Sequence, residues 1–217
     1  MLTTQSSAIA AQLADPELFR EQCFVGGRWT GEGETAILNP HDGSVLGSVP
    51  EFGAAEARQA IEAANAALPA WRAMSAKERS DVLARWAALC REHQEDLARI
   101  LTPEEGKPLA EARGEIAYGT GFIQWFAEEA RRVYGDVIPA NTRRHRLVTL
   151  KQPVGVAAAI TPWNFPNAMI TRKAGAALAA GCTMVVKPAP ETPFSALALA
   201  ALAERAELPA GVLNVIT

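Results

Sequence analysis

The order of apolar and polar positions divides the chain into stretches of different periodicity. Near the start, Gly26-Gly27 and Asp42-Gly43 separate short apolar runs, which predicts a small antiparallel sheet. From Ala54 to about Glu115 the apolar residues recur at helical spacing, and Ser75 with Glu78 has the spacing of a capping box. The apolar stripe behind this box consists of Val82, Leu83, Trp86, Cys90, Leu97 and Leu101.

The middle of the chain predicts one more helix and one strand. The helix runs from about Glu115 to Val133 and carries Ile116 and Ile123 on its apolar face. Before it, Pro103 could end one helix or begin another, and the pattern leaves both possibilities open. The segment "RHRLVTLKQ" alternates polar and apolar residues as a half-exposed strand does, but no other segment is its obvious partner.

From Pro153 onward, short apolar strands alternate with helices. The predicted elements are strand Val154–Ile160, helix Pro166–Ala180, strand Thr183–Lys187, helix Pro193–Ala206 and strand Val212–Ile216. This alternation indicates right-handed crossovers and a parallel sheet covered on both faces. The predicted fold class is therefore α/β, with a doubly wound parallel sheet preceded by a small antiparallel sheet and helices.

Composition and charge restrict the class of protein. A chain of 217 residues with 49% hydrophobic residues can bury a core, and its net charge of -3 argues against nucleic acid as a partner. The only basic cluster, residues 143–146, is typical of a solvated edge. The first 19 residues lack the basic start and apolar run of a signal peptide or membrane span, so we expect no membrane partner and a cytoplasmic location.

The three cysteines do not indicate a disulfide framework or a metal site. Cys23, Cys90 and Cys182 form no C-x-x-C pair and have no neighbouring histidines. Cys90 falls on an apolar helical stripe, and Cys182 precedes a strand at the amino end of the sheet, away from the edge where ligands bind. We therefore expect reduced thiols that act as small hydrophobic residues.

Two loops follow the carboxyl ends of predicted parallel strands, which is where open α/β sheets bind ligands. They read "TPWNFP" and "KPAPETP", and neither contains the glycine fingerprint of a phosphate-binding turn. In the first loop, Asn164 could cap the following helix, because asparagine is a favoured N-cap residue. If Pro166 instead takes the first helical position, Phe165 is the N-cap and the Asn164 amide is free for a ligand.

These loops carry a family resemblance. "PVGVAAAITPWNFP" together with "KAGAALAAGCTMVVKPAPETP" resembles the aldehyde dehydrogenase superfamily, and "NFPNAMITRKAGAALAAGCT" is similar to its succinate-semialdehyde dehydrogenases. The resemblance implies an N-terminal part of a cofactor-binding domain in residues 1–134, part of an oligomerisation segment in 135–153, and an incomplete dinucleotide-binding region in 154–217. It also implies NAD(P)-dependent oxidation of an aldehyde, succinate semialdehyde above all, through thiolate addition, hydride transfer and thioester hydrolysis.

The resemblance assigns roles to residues of the first loop and the helix behind it. Asn164 would be the catalytic residue, donating its side-chain amide to the oxyanion that forms during thiol addition. Phe165, Ala168 and Arg172 share one helical face and would line the substrate tunnel. The Arg172 fork suits a substrate carboxylate, although a solvated arginine remains possible. Lys173 matches a lysine near the family's catalytic centre, and an exposed lysine is the alternative.

The same resemblance implies a set of cofactor-binding residues. They are Ile160, Thr161, Pro162, Trp163, Lys187, Ala189, Pro190 and Glu191. Lys187 ends a strand where its ammonium group can bind ribose hydroxyls or a 2'-phosphate. Where NAD-using relatives often carry a carboxylate this chain has Pro190, which favours NADP as the cofactor. Glu191 could bind the ribose instead and restore the use of NAD.

Three features of such an enzyme are absent from the sequence. The nucleophilic cysteine, the glutamate base and a glycine-rich turn lie further downstream in the family, so we expect an N-terminal portion that is inactive by itself and forms homo-oligomers as a full-length enzyme. Two alternatives remain open. The chain could be a non-catalytic nucleotide-binding or interaction module, or the enzyme could act on another aldehyde.

Overall fold

The computed structural model of the protein describes residues 6–217. Its α-helices are α1 Ser6–Ala10, α2 Ala54–Ala73, α3 Ala76–Glu92, α4 Gln94–Glu105, α5 Leu109–Glu129, α6 Ala168–Ala179 and α7 Phe194–Arg205. Its strands are β1 Cys23–Val25, β2 Arg28–Thr30, β3 Thr35–Leu38, β4 Val45–Val49, β5 Val137–Ile138, β6 Leu147–Val148, β7 Val156–Ile160, β8 Thr183–Lys187 and β9 Leu213–Val215. The predicted absence of a signal peptide concerns the opening residues, of which 1–5 lie outside the described residues.

The main sheet has five strands in the order β2-β1-β9-β8-β7. Strands β7, β8 and β9 are parallel, which confirms the predicted α/β class, but β1 pairs antiparallel with β9 where Phe24 faces Val215. The expectation of a separate leading sheet is thus wrong for the β1–β2 hairpin, and only β3 and β4 form a small sheet of their own. The hairpin covers the edge of β9 that would otherwise be unpaired, and the resulting sheet is mixed.

Helices cover both faces of the sheet. Two crossovers in the same direction place α6 and α7 on one face, while α2 covers the other. Side chains of β8 alternate accordingly: Met184 and Val186 belong to the large core with the crossover helices, and Val185 packs with Ala60 and Ala64 of α2. A second layer, α3 to α5, packs on the crossover helices, so most of α7 is buried.

The predicted helical run resolves into separate helices with identifiable ends. Ser75 and Glu78 form the predicted capping box of α3, with each side chain accepting from the other residue's backbone N–H. Pro103 neither begins nor ends a helix, because it lies in the last turn of α4. That helix ends at Gly106, whose φ of 92° is a left-handed conformation that glycine adopts without strain.

The segment that had no obvious partner does have one. Strand β6 pairs antiparallel with β5, ten residues earlier in the chain, so the expectation of an unpaired strand is wrong. Both strands are only two residues long, and a pattern of two residues carries too little signal to predict the partner. The ribbon is exposed on its apolar side, with Val137 78% and Val148 59% accessible.

Candidate active site

The candidate site lies at the carboxyl ends of β7 and β8. The loop 161–167 connects β7 to α6, and the loop 188–193 connects β8 to α7. Thr161 N donates to Lys187 O at 3.1 Å, which extends the pairing of the two strands by one bond and holds the loops side by side. The turn between α4 and α5, residues 106–108, contacts the first of these loops.

Asn164 is exposed, and its side-chain amide has no hydrogen bond to any described residue. The helix after it begins at Ala168, so the prediction that Pro166 starts it is wrong by two residues. Met169 N donates to Phe165 O at 2.9 Å, but the next amide, Ile170 N, bonds across only three residues to Asn167 O, and regular helical bonding starts with Thr171 N to Asn167 O. The side-chain amide of Asn164 is therefore available to donate a hydrogen bond to a ligand.

The N-terminus of α6 is capped by a glutamate from another helix. Glu115 of α5 accepts hydrogen bonds at Oε1 from Asn167 N at 2.9 Å and from Ala168 N at 3.1 Å. Its carboxylate is buried and meets Lys107 Nζ at 2.5 Å from Oε2. A negative charge at this position is stabilised by the helix dipole and by the two N–H donors. Because Glu115 occupies these donors, the capping role considered for Asn164 is already filled.

Lys107 connects this cap to the loop. Its Nζ also donates to Asn164 O at 3.2 Å and lies 4.4 Å from the centre of the Phe165 ring. The Lys107 side chain is 11% exposed, so these interactions take place largely out of water. The backbone of Asn164 and the ring of Phe165 are thus both held by one ammonium group.

The second crossover helix has an equivalent cap. Glu104 of α4 is buried and accepts from Phe194 N and from Ser195 N, both at 2.8 Å. Burial raises the pKa of Glu104 to about 8, while the two backbone donors act in the opposite direction. At the opposite end of α6, Arg79 Nε donates to Ala179 O at 3.3 Å. Each cap fixes the start of a helix that follows a site loop.

Arg172 lies one turn into α6 and rests on aromatic rings of α5. Its guanidinium carbon is 4.8 Å from the centre of the Phe122 ring and 5.7 Å from that of Tyr118, and its Nη2 donates to the Tyr118 hydroxyl at 2.9 Å. Among the described residues it has no carboxylate partner, and its Nε has no hydrogen bond. A positive group that is oriented but not neutralised is suited to bind an anion.

The other residues predicted to share this face lie differently. Phe165 is 40% exposed, whereas Ala168 is fully buried against α5 and only Phe165 and Arg172 are accessible. Lys173 Nζ donates to Met169 O at 3.1 Å, and burial together with the nearby Arg172 lowers the pKa of Lys173. The substrate role of Ala168 stays a prediction.

The predicted cofactor residues lie around the carboxyl end of the sheet. Ile160, Pro162, Trp163, Pro190 and Glu191 are exposed, while Thr161 and Ala189 are buried. Lys187 is partly buried, its Nζ reaches only Pro188 O at 3.5 Å, and it forms no ion pair with a described residue. It lines a cleft of about 260 Å³ together with Pro190, Phe52 and Thr217. Unused ammonium donors beside such a cleft fit ribose hydroxyls or a phosphate.

The three cysteines are buried and free, and none lies at this site. Cys23, Cys90 and Cys182 are 0%, 1% and 5% exposed. Burial raises the pKa of the Cys23 and Cys90 thiols, which disfavours the reactive thiolate. Within residues 6–217, no three His, Cys, Asp or Glu side chains are grouped as a metal ion would need, and none of the described helices has the length and hydropathy to cross a membrane.

Four residues of the site are absent from the sequence-based prediction: Glu104, Lys107, Glu115 and Tyr118. Glu115 has a signal in the sequence, because it falls at four-residue spacing with Gly119 and Ile123 on the apolar face of its helix. A carboxylate in such a place needs a buried partner. The partner amides, however, lie 52 and 53 residues further along the chain, and no local pattern connects them.

Known proteins similar to this chain share one family. The pattern of the Aldehyde dehydrogenase family matches residues 29–217. Glutarate-semialdehyde dehydrogenase of Pseudomonas putida is 63% identical over 95% of this chain and 44% of its own length, and the NADP(+) succinate-semialdehyde dehydrogenase GabD of Escherichia coli is 62% identical over 95% and 43%. The crystal structure of an NADP-dependent enzyme of Escherichia coli superimposes with a TM-score of 0.93 at 62% identity, over 95% of this chain and 44% of that one. The chain thus spans less than half the length of these relatives.

Proposed function

Because the chain belongs to the aldehyde dehydrogenase family, we propose that the protein oxidises an aldehyde bearing a terminal carboxylate, foremost succinate semialdehyde to succinate. The observation that carries this proposal is the arrangement of Asn164 and Arg172 on one loop-helix segment. A side-chain amide with no hydrogen-bond partner among the described residues precedes α6, and a guanidinium group with no carboxylate partner among them lies one turn into the helix. The helix rises about 1.5 Å per residue, so the backbone of Arg172 lies only ~6 Å along the axis from the helix start, close to the loop that carries Asn164.

In the proposed reaction, Asn164 donates its Nδ2 hydrogen to the carbonyl oxygen, on which negative charge accumulates when a thiolate adds to the aldehyde. One such preorganised donor contributes about 2.7–4 kcal/mol to the stability of the transition state. Arg172 binds the substrate carboxylate through its two Nη groups and orients the aldehyde toward Asn164. The thiol itself is not Cys23, Cys90 or Cys182, because all three are buried, and we expect residues 1–217 alone to have no dehydrogenase activity.

A nicotinamide cofactor, when bound, accepts the hydride that leaves the aldehyde carbon. Lys187 would hold its ribose, and Ile160 to Trp163 with Ala189 to Glu191 would form the walls of its site. We propose NADP as the preferred form, because Pro190 places no carboxylate near a 2'-phosphate and Glu191 has no hydrogen bond or ion pair within residues 6–217 that would hold it in one orientation. The NADP(+) in the name of the Escherichia coli relative supports this choice. NAD is the alternative, if Glu191 turns toward the ribose.

Glutarate semialdehyde is a second candidate substrate, which differs from the first in length. The relative from Pseudomonas putida is named for glutarate semialdehyde, which has one more methylene than succinate semialdehyde. Both carry the carboxylate that Arg172 would bind, and one methylene in a pocket changes discrimination by only about 1–3 kcal/mol. A direct comparison of kcat/KM for the two aldehydes therefore decides which one is the preferred substrate.

We also propose that the protein acts as a homo-oligomer, with residues 135–153 in the contact. The ribbon of β5 and β6 exposes Val137 and Val148, and Leu150 just after β6 is 76% accessible. Apolar side chains in such a ribbon are typical of a surface that another chain covers. Sedimentation of the full-length gene product would show a monomer if this is wrong.

The substrate proposal is tested by replacing Arg172 in the full-length gene product. Arg172→Leu should lower kcat/KM for succinate semialdehyde and glutarate semialdehyde by about 10²-fold, the worth of two hydrogen bonds to a charged group. The matched substrates butanal and pentanal lack the carboxylate, and their kcat/KM should change by less than about threefold. Arg172→Lys keeps the charge and should fall between. Equal losses for charged and uncharged aldehydes would overturn the role of Arg172.

A further inference from the structure

The ion pair of Lys107 and Glu115 lies beneath the loop of the candidate site, and both side chains are largely buried. Lys107 follows the glycine that ends α4, and Glu115 lies two turns into α5, with 1% of its side chain exposed. The two side chains meet at 2.5 Å, and neither is required by the proposed reaction for proton transfer or binding. Burying such a pair costs desolvation, so its further hydrogen bonds decide what it contributes.

Those interactions go to the middle of the loop that carries Asn164 and to the junction of that loop with α6. Lys107 Nζ binds Asn164 O at 3.2 Å and lies 4.4 Å from the centre of the Phe165 ring. Glu115 binds the amides of Asn167 and Ala168 at 2.9 and 3.1 Å, on the side facing α6. The pair therefore contacts the segment 164–168 at both of its ends, and Lys107 contacts the backbone of Asn164 directly.

The side chain of Asn164 has no fixing contact of its own. It is exposed, it makes no hydrogen bond to any residue of the described range 6–217, and the regular bonding of α6 begins only after Asn167. An oxyanion donor, however, must be held within about 0.5 Å of its productive position, and a displacement of about 1 Å can cost roughly 10²-fold in rate. Something outside the loop must supply this rigidity.

We propose that the Lys107–Glu115 pair is a positioning element that holds the Asn164 amide in place for oxyanion stabilisation. The proposal rests on the proposed function. Lys107 and Glu115 act through Asn164 and do not touch the substrate, so their removal lowers kcat while the KM for the aldehyde and the binding of NADP change little. A role in stability alone would lower the melting temperature and leave kcat, measured well below that temperature, unchanged.

The test is a double-mutant cycle in the full-length gene product. Lys107→Met keeps the length of the side chain and removes its charge, and Glu115→Gln keeps the shape and one acceptor. Each should lower kcat for succinate semialdehyde by about 10- to 100-fold, with KM changed by less than about threefold. In an Asn164→Ala background, where kcat is already about 10²-fold lower, the same substitutions should have no further effect on kcat, because the donor they position is gone.

Controls separate this proposal from the function on which it rests. Lys77→Met removes an exposed ion pair with Asp81 that does not contact the loop, and it should leave kcat unchanged. If Asn164→Ala alone leaves kcat unchanged, the proposed function fails. If Asn164→Ala lowers kcat but Lys107→Met and Glu115→Gln do not, or lower it equally in both backgrounds, only the positioning role is overturned.

A second measurement covers the case in which Lys107→Met does not fold. Glu115→Gln is isosteric and serves in the same cycle, and hydrogen exchange reports on the loop directly. The amides of Asn167 and Ala168 should exchange at least tenfold faster in Glu115→Gln than in the wild-type protein, because the acceptor that they share, Oε1 of residue 115, loses its negative charge. Unchanged exchange of both amides would contradict the cap and with it the positioning role.

Discussion

Replacing Glu104 tests whether a buried carboxyl group holds the start of α7 in place. In the wild-type protein Glu104 accepts from Phe194 N and Ser195 N at 2.8 Å, and all three residues are at most 2% exposed. Glu104→Ala removes both acceptors in a place that water does not reach. Two amides would then be buried without partners at the helix that follows the predicted cofactor loop.

The magnitude follows from the number of unsatisfied donors. A buried N–H without an acceptor costs about 1–3 kcal/mol, so Glu104→Ala should lower the free energy of unfolding by roughly 3–5 kcal/mol, with the lost packing included. Glu78 is the matched control, because it caps its own helix through Ser75 N at 2.7 Å but is exposed. Water can replace it there, and Glu78→Ala should cost only about 0.5–1 kcal/mol.

The same residue predicts a pH dependence of stability. Burial raises the pKa of Glu104 from 4.5 to about 8, so between these values the folded protein holds a proton that the unfolded chain has released. The contribution of Glu104 to stability is therefore complete below pH 4.5 and is lost as the pH rises through 8, by up to about 1.4 kcal/mol per pH unit. Glu104→Gln cannot titrate and should not show this loss.

The assay is urea denaturation of the wild-type protein and the three variants at intervals from pH 5 to pH 9. The unfolding free energy of the wild-type protein minus that of Glu104→Gln should fall steadily as the pH rises from 5 to 8. The reasoning is refuted if Glu104→Ala costs no more than Glu78→Ala. It is equally refuted if wild type and Glu104→Gln have parallel pH profiles.

Two further predictions concern substrate and cofactor choice in the full-length gene product. Tyr118→Phe removes the hydroxyl that accepts from Arg172 and should raise the KM for succinate semialdehyde about three- to tenfold at unchanged kcat, with butanal as the unaffected control. An equal change for butanal would contradict a role through Arg172. Pro190→Glu places a carboxylate in the predicted ribose site and should raise the KM for NADP at least tenfold by repulsion of the 2'-phosphate, while NAD is used at least as well as before. An unchanged KM for NADP in Pro190→Glu would mean that the 2'-phosphate does not bind near residue 190.

The sequence by itself determined the alternation of strands and helices after residue 153 and the loops in which a candidate site is expected. Strand Thr183–Lys187 matches β8 at both ends, because its apolar run is bounded by a glycine turn and a proline-rich loop, which are local signals. The two loops at the carboxyl ends of the strands, and Asn164 within one of them, followed from the alternation of strands and helices and from the family's motifs. All of these signals lie within a few residues of the feature that they predict.

Only the tertiary structure decided what holds that site together. The caps at α6 and α7 join residues 52 and 90 positions apart, and the β1 hairpin pairs with β9 almost two hundred residues later. Hydrogen bonds of this kind depend on which elements pack side by side, and neither periodicity nor a short motif encodes that. The position of Glu115 on an apolar helical face indicates that its carboxylate needs a buried partner. Only the packing of α5 against α6 shows that this partner is the N-terminus of a helix.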